Sequence, residues 1–284
     1  MLANVYDRLG TATTTFDCCD TEFSVRASGV RADAAVRAAK RTARELESRL
    51  NAFDPDSAVA ALNREGEVTD RHVAAIVRRA QRYTDRTDGR FAITQGGVEH
   101  AVKEYIRGET TRVDTTFGTG AVEVHGDTVR ATTEVDLNGL AKGYLVDRAW
   151  EAATGVGVRA SVNGGGDIAR PMTTVGIEPL DGCDEYLKVL ETDWHIASSG
   201  SYRRRRKDVD HIYAPDESRL GAANELVTVV ARRDCMEADA LATTLAATPP
   251  AEAIELAESW PGLEAFLVTH GVFHETEGFH HHVA

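Results

Sequence analysis

Lysine is scarce in this chain of 284 residues, which carries 45 acidic residues against 32 basic ones. Only five of the basic residues are lysines: Lys40, Lys103, Lys142, Lys188 and Lys207. The net charge of −13 opposes binding to a polyanion, so we expect no nucleic-acid partner. An acidic surface that is rich in arginine rather than lysine is typical of a high-salt cytoplasm, where salt screens the repulsion between like charges. The composition therefore predicts a halophilic protein.

Cysteines and long apolar runs are also few. The four cysteines are Cys18, Cys19, Cys183 and Cys235, and none of them forms a Cys-x-x-Cys pair. This spacing indicates neither a disulfide framework nor a zinc ribbon. No window approaches the roughly 18 uncharged apolar residues of a membrane span, and the first residues lack the apolar core of a signal peptide. We expect a cytoplasmic protein without stable membrane insertion.

The patterns that are present mix strands and helices without a regular βαβ alternation. Alternation at residues 21–27, with Phe23 and Val25 inward, predicts a strand that opens the fold. Asp70 is predicted to cap a helix, and residues 280–282 are predicted to be a frayed terminus. Together these patterns predict an α+β fold with largely antiparallel sheet. Further helices are predicted at 33–50, 140–153, 236–248 and 251–259, a hairpin at 122–129, and strands at 158–162, 174–177, 194–197, 226–231 and 265–269.

Two segments combine acidic residues with small ones at predicted element boundaries. Asp239 and Thr243 lie four residues apart, so on a helix they share a face and can offer a carboxylate and a hydroxyl to one hard cation. The alternative is a solvated helix face. The segment Asn-Gly-Gly-Gly-Asp at residues 163–167 lets backbone N–H groups approach a pyrophosphate closely. The alternative there is a tight turn without a ligand.

Two further residues are candidates for binding and for proton transfer. Lys142 follows Asp136 by six residues at a predicted helix start, where a phosphate would meet both the helix N-terminus and a positive side chain. The alternative is an exposed lysine in a capping segment. Histidine is the side chain whose ordinary pKa lies nearest neutrality, so His211 is a candidate to deprotonate a hydroxyl nucleophile. As one histidine among ten, it does not establish that role by itself.

Taken in order, these segments resemble the ApbE family of FAD:protein FMN transferases over nearly the whole chain. Residues 46–57 with 62–63 are similar to the first family motif, and residues 88–91 to Gly-x-Phe-Asp. Residues 135–144, with Asp147, resemble Asp-Leu-Gly-x-x-Ala-Lys-Gly, and residues 163–168 resemble the Gly-Gly-Asp motif. Residues 199–202, which end in Tyr202, residues 210–215 and residues 239–243 complete the order. The conserved order of the motifs, rather than any one of them, makes the resemblance specific.

The resemblance implies a two-lobed mixed fold of the ApbE (T-fold-like) type, in a single domain over residues 1–284, with FAD between the lobes and Mg²⁺ on its pyrophosphate. The implied metal ligands are the side chains of Asp239 and Thr243 and the main-chain carbonyl of Gly139. His211 matches the base that activates the acceptor hydroxyl. Phe53 stands where the family usually has a tyrosine against the flavin. The implied contacts to FAD are Cys19, Phe53, Arg90, Phe91, Ala92, Asp136, Lys142, Gly165 and Ile212.

The implied reaction attaches FMN through a phosphoester bond to a threonine or serine of an acceptor protein and releases AMP. The alternatives are a pyrophosphatase that cleaves FAD to FMN and AMP, and a non-catalytic FAD-binding protein. Three segments differ from the family motifs. Cys-Asp-Thr at residues 19–21 replaces Met-Gly-Thr, Ala92 replaces the aspartate of Gly-x-Phe-Asp, and Pro-Asp-Glu-Ser at residues 215–218 replaces Pro-x-Thr-Gly.

Overall fold

A central sheet of eight strands runs through the molecule, and every neighbouring pair in it is antiparallel. The computed structural model describes residues 10–113, 116–180, 185–201, 205–206 and 209–284. Cys183, Tyr202 and Lys207 lie outside these ranges. The strands follow one another across the sheet as β1 (Thr11–Cys18), β2 (Thr21–Ser28), β6 (Arg159–Gly164), β7 (Asp167–Ala169), β10 (His195–Gly200), β15 (Leu226–Ala231), β16 (Leu263–Thr269) and β17 (Val272–Glu275).

Amphipathic helices accompany the sheet. Val36, Ala39, Ala43, Leu46 and Leu50 recur at helical spacing in α1 and are all buried. Within the described ranges, the α-helices are α1 (Ala32–Leu50), α2 (Ala58–Glu65), α3 (Arg71–Arg86), α4 (Gly96–Arg107), α5 (Asn138–Thr154), α6 (Cys235–Ala247) and α7 (Pro250–Glu258).

Smaller sheets lie around the central one. A three-stranded sheet contains β3 (Glu67–Thr69), β5 (Thr128–Ala131) and β4 (Val122–His125), with β5 in the middle. The predicted hairpin at residues 122–129 is confirmed by the pairing of β4 with β5 across the turn at Gly126. Three two-stranded ribbons pair β8 (Val175–Ile177) with β9 (Lys188–Leu190), β11 (Arg205–Arg206) with β12 (Val209–Asp210), and β13 (Tyr213–Ala214) with β14 (Arg219–Leu220).

The central strand β15 separates two apolar cores. All six of its residues are buried; Val227 and Val229 belong to the larger core, and Leu226 and Val230 to the smaller one. The larger core lies under α1, α5 and α6, with α5 packed between the other two helices. The smaller core is closed by the β8–β9 ribbon and by a 3₁₀ turn at Phe279–His282. Because both faces of β15 are covered, its sequence does not alternate between apolar and polar residues. The one polar residue, Thr228, is fully buried and its Oγ1 lies 3.0 Å from Ser198 Oγ.

Most of the predicted elements are confirmed, two expectations need correction, and helix α2 was not predicted. The strand at residues 21–27 does not open the fold, because β1 precedes it and pairs with it along its whole length. The threonine-rich sequence of β1 gives no clear apolar alternation. The short helix α2 has only Val59 and Leu62 buried, too few to show a periodicity.

The predicted frayed terminus is also wrong. Phe279 is fully buried, and the His282 ring lies 4.6 Å from that of Trp194, with its Nδ1 2.9 Å from Thr192 Oγ1. These contacts hold the histidine-rich end in the smaller core.

The prediction of an α+β fold with largely antiparallel sheet is confirmed. Asp70 caps α3 as predicted, since its Oδ1 accepts hydrogen bonds from the N–H groups of His72 and Val73 at 2.8 and 3.1 Å. Among the described residues, no helix combines the length and the apolar character that crossing a membrane requires.

Candidate functional site

A cleft of about 720 Å³ lies where several of these elements meet. Its walls come from the β1–β2 turn, the end of α1, the start of α5, the β6–β7 turn, the segment around residues 211–215, and α6. All thirteen residues that the sequence predicts as binding, metal or catalytic residues line it: Cys19, Phe53, Arg90, Phe91, Ala92, Asp136, Gly139, Lys142, Gly165, His211, Ile212, Asp239 and Thr243.

The floor of the cleft, which we define as Lys142, Asp167 and Asp239, is a charge cluster in which both aspartates are buried and Lys142 is half-buried. Lys142 Nζ contacts Asp167 Oδ2 and lies 3.9 Å from Asp239 Oδ1. Burial opposes the charge on Lys142, but the two carboxylates outweigh it and raise its pKa. Burial and the nearby Asp239 raise the pKa of Asp167 as well. Two alternative interpretations are therefore wrong. Asp239 does not lie on a solvated helix face, because it is only 6 % exposed. Lys142 is not a free, exposed lysine in a capping segment, because it is paired with Asp167.

Close contact between α5 and α6 positions this floor. A Cβ added to Gly143 would lie 2.6 Å from the carbonyl oxygen of Cys235 and 2.8 Å from Asp239 Cβ, so only glycine permits this approach. The Gly143 N–H donates to Asp239 Oδ2 at 2.8 Å. One turn further along α5, Asp147 accepts hydrogen bonds from the N–H groups of Cys235 and Met236, both at 2.9 Å. The first turn of α6, and with it Asp239, is therefore held by α5.

The floor can hold a divalent cation. Asp167 Oδ1 is buried and has no hydrogen-bond partner within the described ranges, and Asp239 Oδ1 lies 3.9 Å from Lys142 Nζ. Gly139 lies against Thr243, since an added Cβ would be 3.4 Å from Thr243 Cγ2. Carboxylate, hydroxyl and carbonyl oxygens are the ligands that Mg²⁺ prefers. The donor set and the unpartnered carboxylate oxygen both fit such an ion.

Asp136 lies above the floor at the start of α5. Its Oδ1 accepts the N–H of Asn138 at 2.8 Å, and its Oδ2 accepts the Tyr213 hydroxyl at 2.8 Å. Burial, together with the nearby Glu99 carboxylate, raises the pKa of Asp136 to about 6. The Lys103 ammonium lies 2.8 Å from Glu99 Oε1 and partly offsets that repulsion. This carboxyl group can therefore change protonation near neutral pH.

The rim of the cleft, which we define as Cys19, Phe53, Arg90, Ala92 and His211, is more exposed than the floor. Phe53 is 37 % exposed and stands beside His100, with ring centroids 4.9 Å apart. Arg90 reaches Glu252 at 2.6 Å and Asp216 at 3.8 Å. These are surface ion pairs, whose geometry a bound ligand can rearrange at little cost.

His211 lies between β12 and β13, where Asp210 organises the backbone. Asp210 Oδ1 accepts the Ile212 N–H at 2.8 Å and its Oδ2 accepts the Ala222 N–H at 3.1 Å. Ile212 is buried, and its carbonyl accepts the Gly221 N–H at 2.8 Å. The histidine is thus carried by a backbone segment that is fixed on both sides.

A model of the ApbE family matches residues 19–267. The chain belongs to the ApbE family. Its mixed, mostly antiparallel fold is accordingly that of ApbE proteins, and the two-lobed organisation of a single domain stays a prediction. Cys19, the first residue of the β1–β2 turn, and Ala92, two positions at which the sequence departs from the motifs it resembles, both line the cleft.

Solved ApbE structures share the fold over nearly the whole chain. The ApbE protein of Thermotoga maritima has a TM-score of 0.82 at 20% identity, and the match covers 97% of this chain and all of that one. The flavin transferase ApbE of Vibrio cholerae has a TM-score of 0.76 at 18% identity, covering 96% and 99%. The apo form of the Pseudomonas stutzeri flavinyl transferase ApbE has a TM-score of 0.76 at 20% identity, covering 96% of each chain. No curated protein sequence matches this ApbE chain significantly.

Sequence reasoning missed several polar residues of this ApbE cleft. Asp167 ends the Asn-Gly-Gly-Gly-Asp segment that is predicted to approach a pyrophosphate, but the prediction gave the aspartate itself no role. Glu99, Lys103 and Tyr213 reach Asp136 from elements distant in the sequence. No local sequence pattern predicts these three residues as part of the site. They belong to it only because α4, the β13–β14 ribbon and the start of α5 come together around Asp136.

Proposed function

We propose that this chain is a Mg²⁺-dependent FAD:protein FMN transferase. The observation that supports it is the convergence of all thirteen expected site residues on one cleft, which joins a buried charged floor to an exposed rim. FAD is divided in the same way, because its charged pyrophosphate suits the floor and its large aromatic flavin suits the rim. In this proposal the pyrophosphate lies over Lys142 and Asp239, and the flavin lies at the rim near Phe53.

The charge balance of the floor supports the need for a cation. The floor places two carboxyl groups, Asp167 and Asp239, beside the single ammonium of Lys142. Burial and their mutual repulsion raise the pKa of Asp167, and a divalent cation would relieve that repulsion before an anionic pyrophosphate binds. We assign the ion to the Asp239 and Thr243 side chains and the Gly139 carbonyl. A bound Mg²⁺ supplies a Lewis acid that offsets charge on the pyrophosphate oxygens. Lys142 remains protonated beside its two carboxylates and orients the phosphate by direct contact.

His211 is the proposed general base. It accepts the proton of a threonine or serine hydroxyl of the acceptor protein, and that oxygen attacks the phosphorus on the FMN side of FAD. A bond forms between the acceptor oxygen and this phosphorus, the phosphoanhydride bond breaks, and AMP leaves with the bridging oxygen. His211 is half-buried and lines the cleft at its rim, which supports this role because an acceptor protein must reach it from solvent.

The test uses purified protein with FAD, Mg²⁺ and an acceptor that carries an Asp-Gly-x-Ser/Thr-Gly site, at both low and high salt. In-gel flavin fluorescence measures the labelled acceptor. We expect His211→Ala to lower the initial rate about 100- to 10,000-fold while FAD still binds. The matched control is His125→Ala, whose side chain is 73 % exposed on β4 and should leave the rate unchanged.

Three outcomes discriminate between the alternatives. A labelled acceptor supports the transferase. Release of AMP from FAD without any acceptor, at a rate that an acceptor does not change, identifies a pyrophosphatase. Bound FAD with neither product identifies a non-catalytic FAD-binding protein and would contradict the proposal. Water can replace the acceptor hydroxyl in the same cleft, so AMP must be measured with and without the acceptor.

The partners of this proposed reaction are FAD and an acceptor protein, with no role for nucleic acid. The acidic composition favours a halophilic, cytoplasmic setting, in which the acceptor is met in the cytosol, before export, or on a cytosolic membrane face. A salt optimum well above physiological ionic strength in the transfer assay would support that setting.

A further inference from the structure

The β1–β2 turn brings two consecutive cysteine thiols together. Cys18 is the last residue of β1, and Cys19 is the first of a two-residue turn, with a left-handed φ of 55°. In a continuous strand, successive side chains would point to opposite faces. Because the chain leaves the extended conformation at Cys19, the two Sγ atoms instead lie 3.9 Å apart.

A carboxylate from α1 completes this group. Glu47 Oε1 accepts the Cys19 N–H at 2.5 Å, which fixes the orientation of the carboxylate. The two sulfur atoms and a carboxylate oxygen of Glu47 all lie within 4.8 Å of one another. A hydrogen bond that orients a potential ligand in this way is a regular feature of protein metal sites.

The spacing of the sulfur atoms suits a tetrahedral metal ion. Two thiolates at about 2.3 Å from a tetrahedral centre are separated by about 3.8 Å, close to the observed 3.9 Å. A disulfide requires about 2.05 Å, and both cysteines are free. The pair is therefore arranged as two thiol ligands around a common point.

The group is open on one side. Cys18 is buried, whereas Cys19 and Glu47 line the cleft. An ion can enter from the cleft, and water can take its fourth coordination position. A buried pair without such access could not exchange a metal.

We propose that Cys18, Cys19 and Glu47 form a binding site for a soft divalent cation of the Zn²⁺ or Cd²⁺ class on the wall of the cleft. Two sulfur ligands favour such ions over Mg²⁺, whereas the oxygen donors of Asp239 and Thr243 have the opposite preference. The two sites are thus chemically distinct. This proposal does not depend on the transferase activity.

The experiment titrates the full chain, stripped of metal and kept reduced with a phosphine, with CdCl₂. Ultraviolet charge-transfer absorption from thiolate to cadmium reports binding at sulfur, and competition with ZnCl₂ gives the relative affinity for zinc. We expect one ion per chain with the absorbance of two Cd–S bonds, unchanged by excess Mg²⁺. Absence of a thiolate band in the reduced protein would overturn the proposal.

Variants separate this site from other metal-binding groups. We expect Cys19→Ser to weaken Cd²⁺ binding about 100-fold and to halve the absorbance, and Glu47→Gln to weaken it about tenfold with the band retained. Cys19 is only half-buried, so its serine variant should fold; thermal melting checks this. Cys183→Ser is the matched thiol control, and Asp239→Asn is the control for the oxygen site. An unchanged titration of Cys19→Ser, or an equal loss in either control, would overturn the proposal.

Discussion

The floor and the rim of the cleft differ in burial and in their agreement with the family motifs. Asp167 is fully buried and Asp239 nearly so, and both stand in segments that resemble the family motifs. Phe53, Cys19 and Ala92 are more exposed, and each lies where the sequence departs from the motif that it resembles. The floor is held by contacts between α5 and α6, whereas the rim is formed by turns and loop segments.

This difference indicates which part of the site tolerates change. Next to the floor, a methyl group added at Gly143 would clash with both the backbone of α6 and the side chain of Asp239. The packing of α5 on α6 therefore tolerates few substitutions there. At the rim, a side chain can be exchanged without disturbing a packed core. We infer that metal and pyrophosphate chemistry belongs to the constrained floor, and that flavin contact and acceptor access belong to the variable rim.

The largest expected effect is the pH dependence of stability beneath the floor. Burial, together with Asp234, raises the pKa of Asp147 to about 7, well above the 3.8 that is ordinary for an aspartate in water. Between these values the folded chain holds a proton that the unfolded chain has lost, so stability decreases as pH rises through this range. In Asp147→Asn this contribution is absent. Relative to the variant, the wild type should lose up to about 4 kcal/mol of unfolding free energy between pH 4 and pH 8.

Urea denaturation at several pH values measures that difference. The variant itself controls for other titrating groups, since all of them remain. A difference that grows with pH would contradict the prediction and would show that the N–H groups of Cys235 and Met236 hold Asp147 in its charged form.

At the floor itself, Asp239→Asn should lower the transfer rate about 100- to 1000-fold, because a charged ligand to the proposed ion is lost. Asparagine keeps an oxygen that can accept the Gly143 N–H, so the fold should persist. In-gel flavin fluorescence gives the rate, and Glu255→Gln on the exposed side of α7 is the control. If Asp239→Asn retained the wild-type rate and Mg²⁺ dependence, the floor would not be the metal site.

A smaller effect is expected at the rim. Phe53→Ala should weaken FAD binding about tenfold through loss of aromatic contact, with little change in the rate at saturating FAD. Phe53→Tyr, which has the residue usual in the family, should bind FAD as the wild type does. Quenching of flavin fluorescence measures both dissociation constants. If Phe53→Ala bound FAD as tightly as the wild type, the flavin would not contact this part of the rim.

The smallest effect is expected for the ion pairs of the rim. Arg90→Ala removes contacts to Glu252 and Asp216 that are partly exposed, so it should change the unfolding free energy by less than about 1 kcal/mol. Urea denaturation tests this. A loss of several kcal/mol of unfolding free energy would show that the rim is as tightly constrained as the floor, which would contradict the difference proposed between them.

The local architecture was largely predictable from the sequence. The helical spacing in α1 and the capping residue Asp70 depend on near neighbours in the chain, and both predictions are confirmed. The β1 strand was missed because threonine suits either a buried or an exposed position. The packed C-terminus was missed because a run of histidines gives no sign of the partners, Trp194 and Thr192, that hold it.

Local patterns in the sequence were enough to predict the α+β class, several of the helices and strands, and the order of the motifs, because each depends on residues within a few positions of one another. That Asp167 meets Lys142 beside Asp239, and that Tyr213 reaches Asp136, follows from the tertiary fold alone. These contacts join the β6–β7 turn, two closely packed helices and a distant ribbon. Strand order and the close approach at Gly143 create them, and neither is encoded in any local pattern.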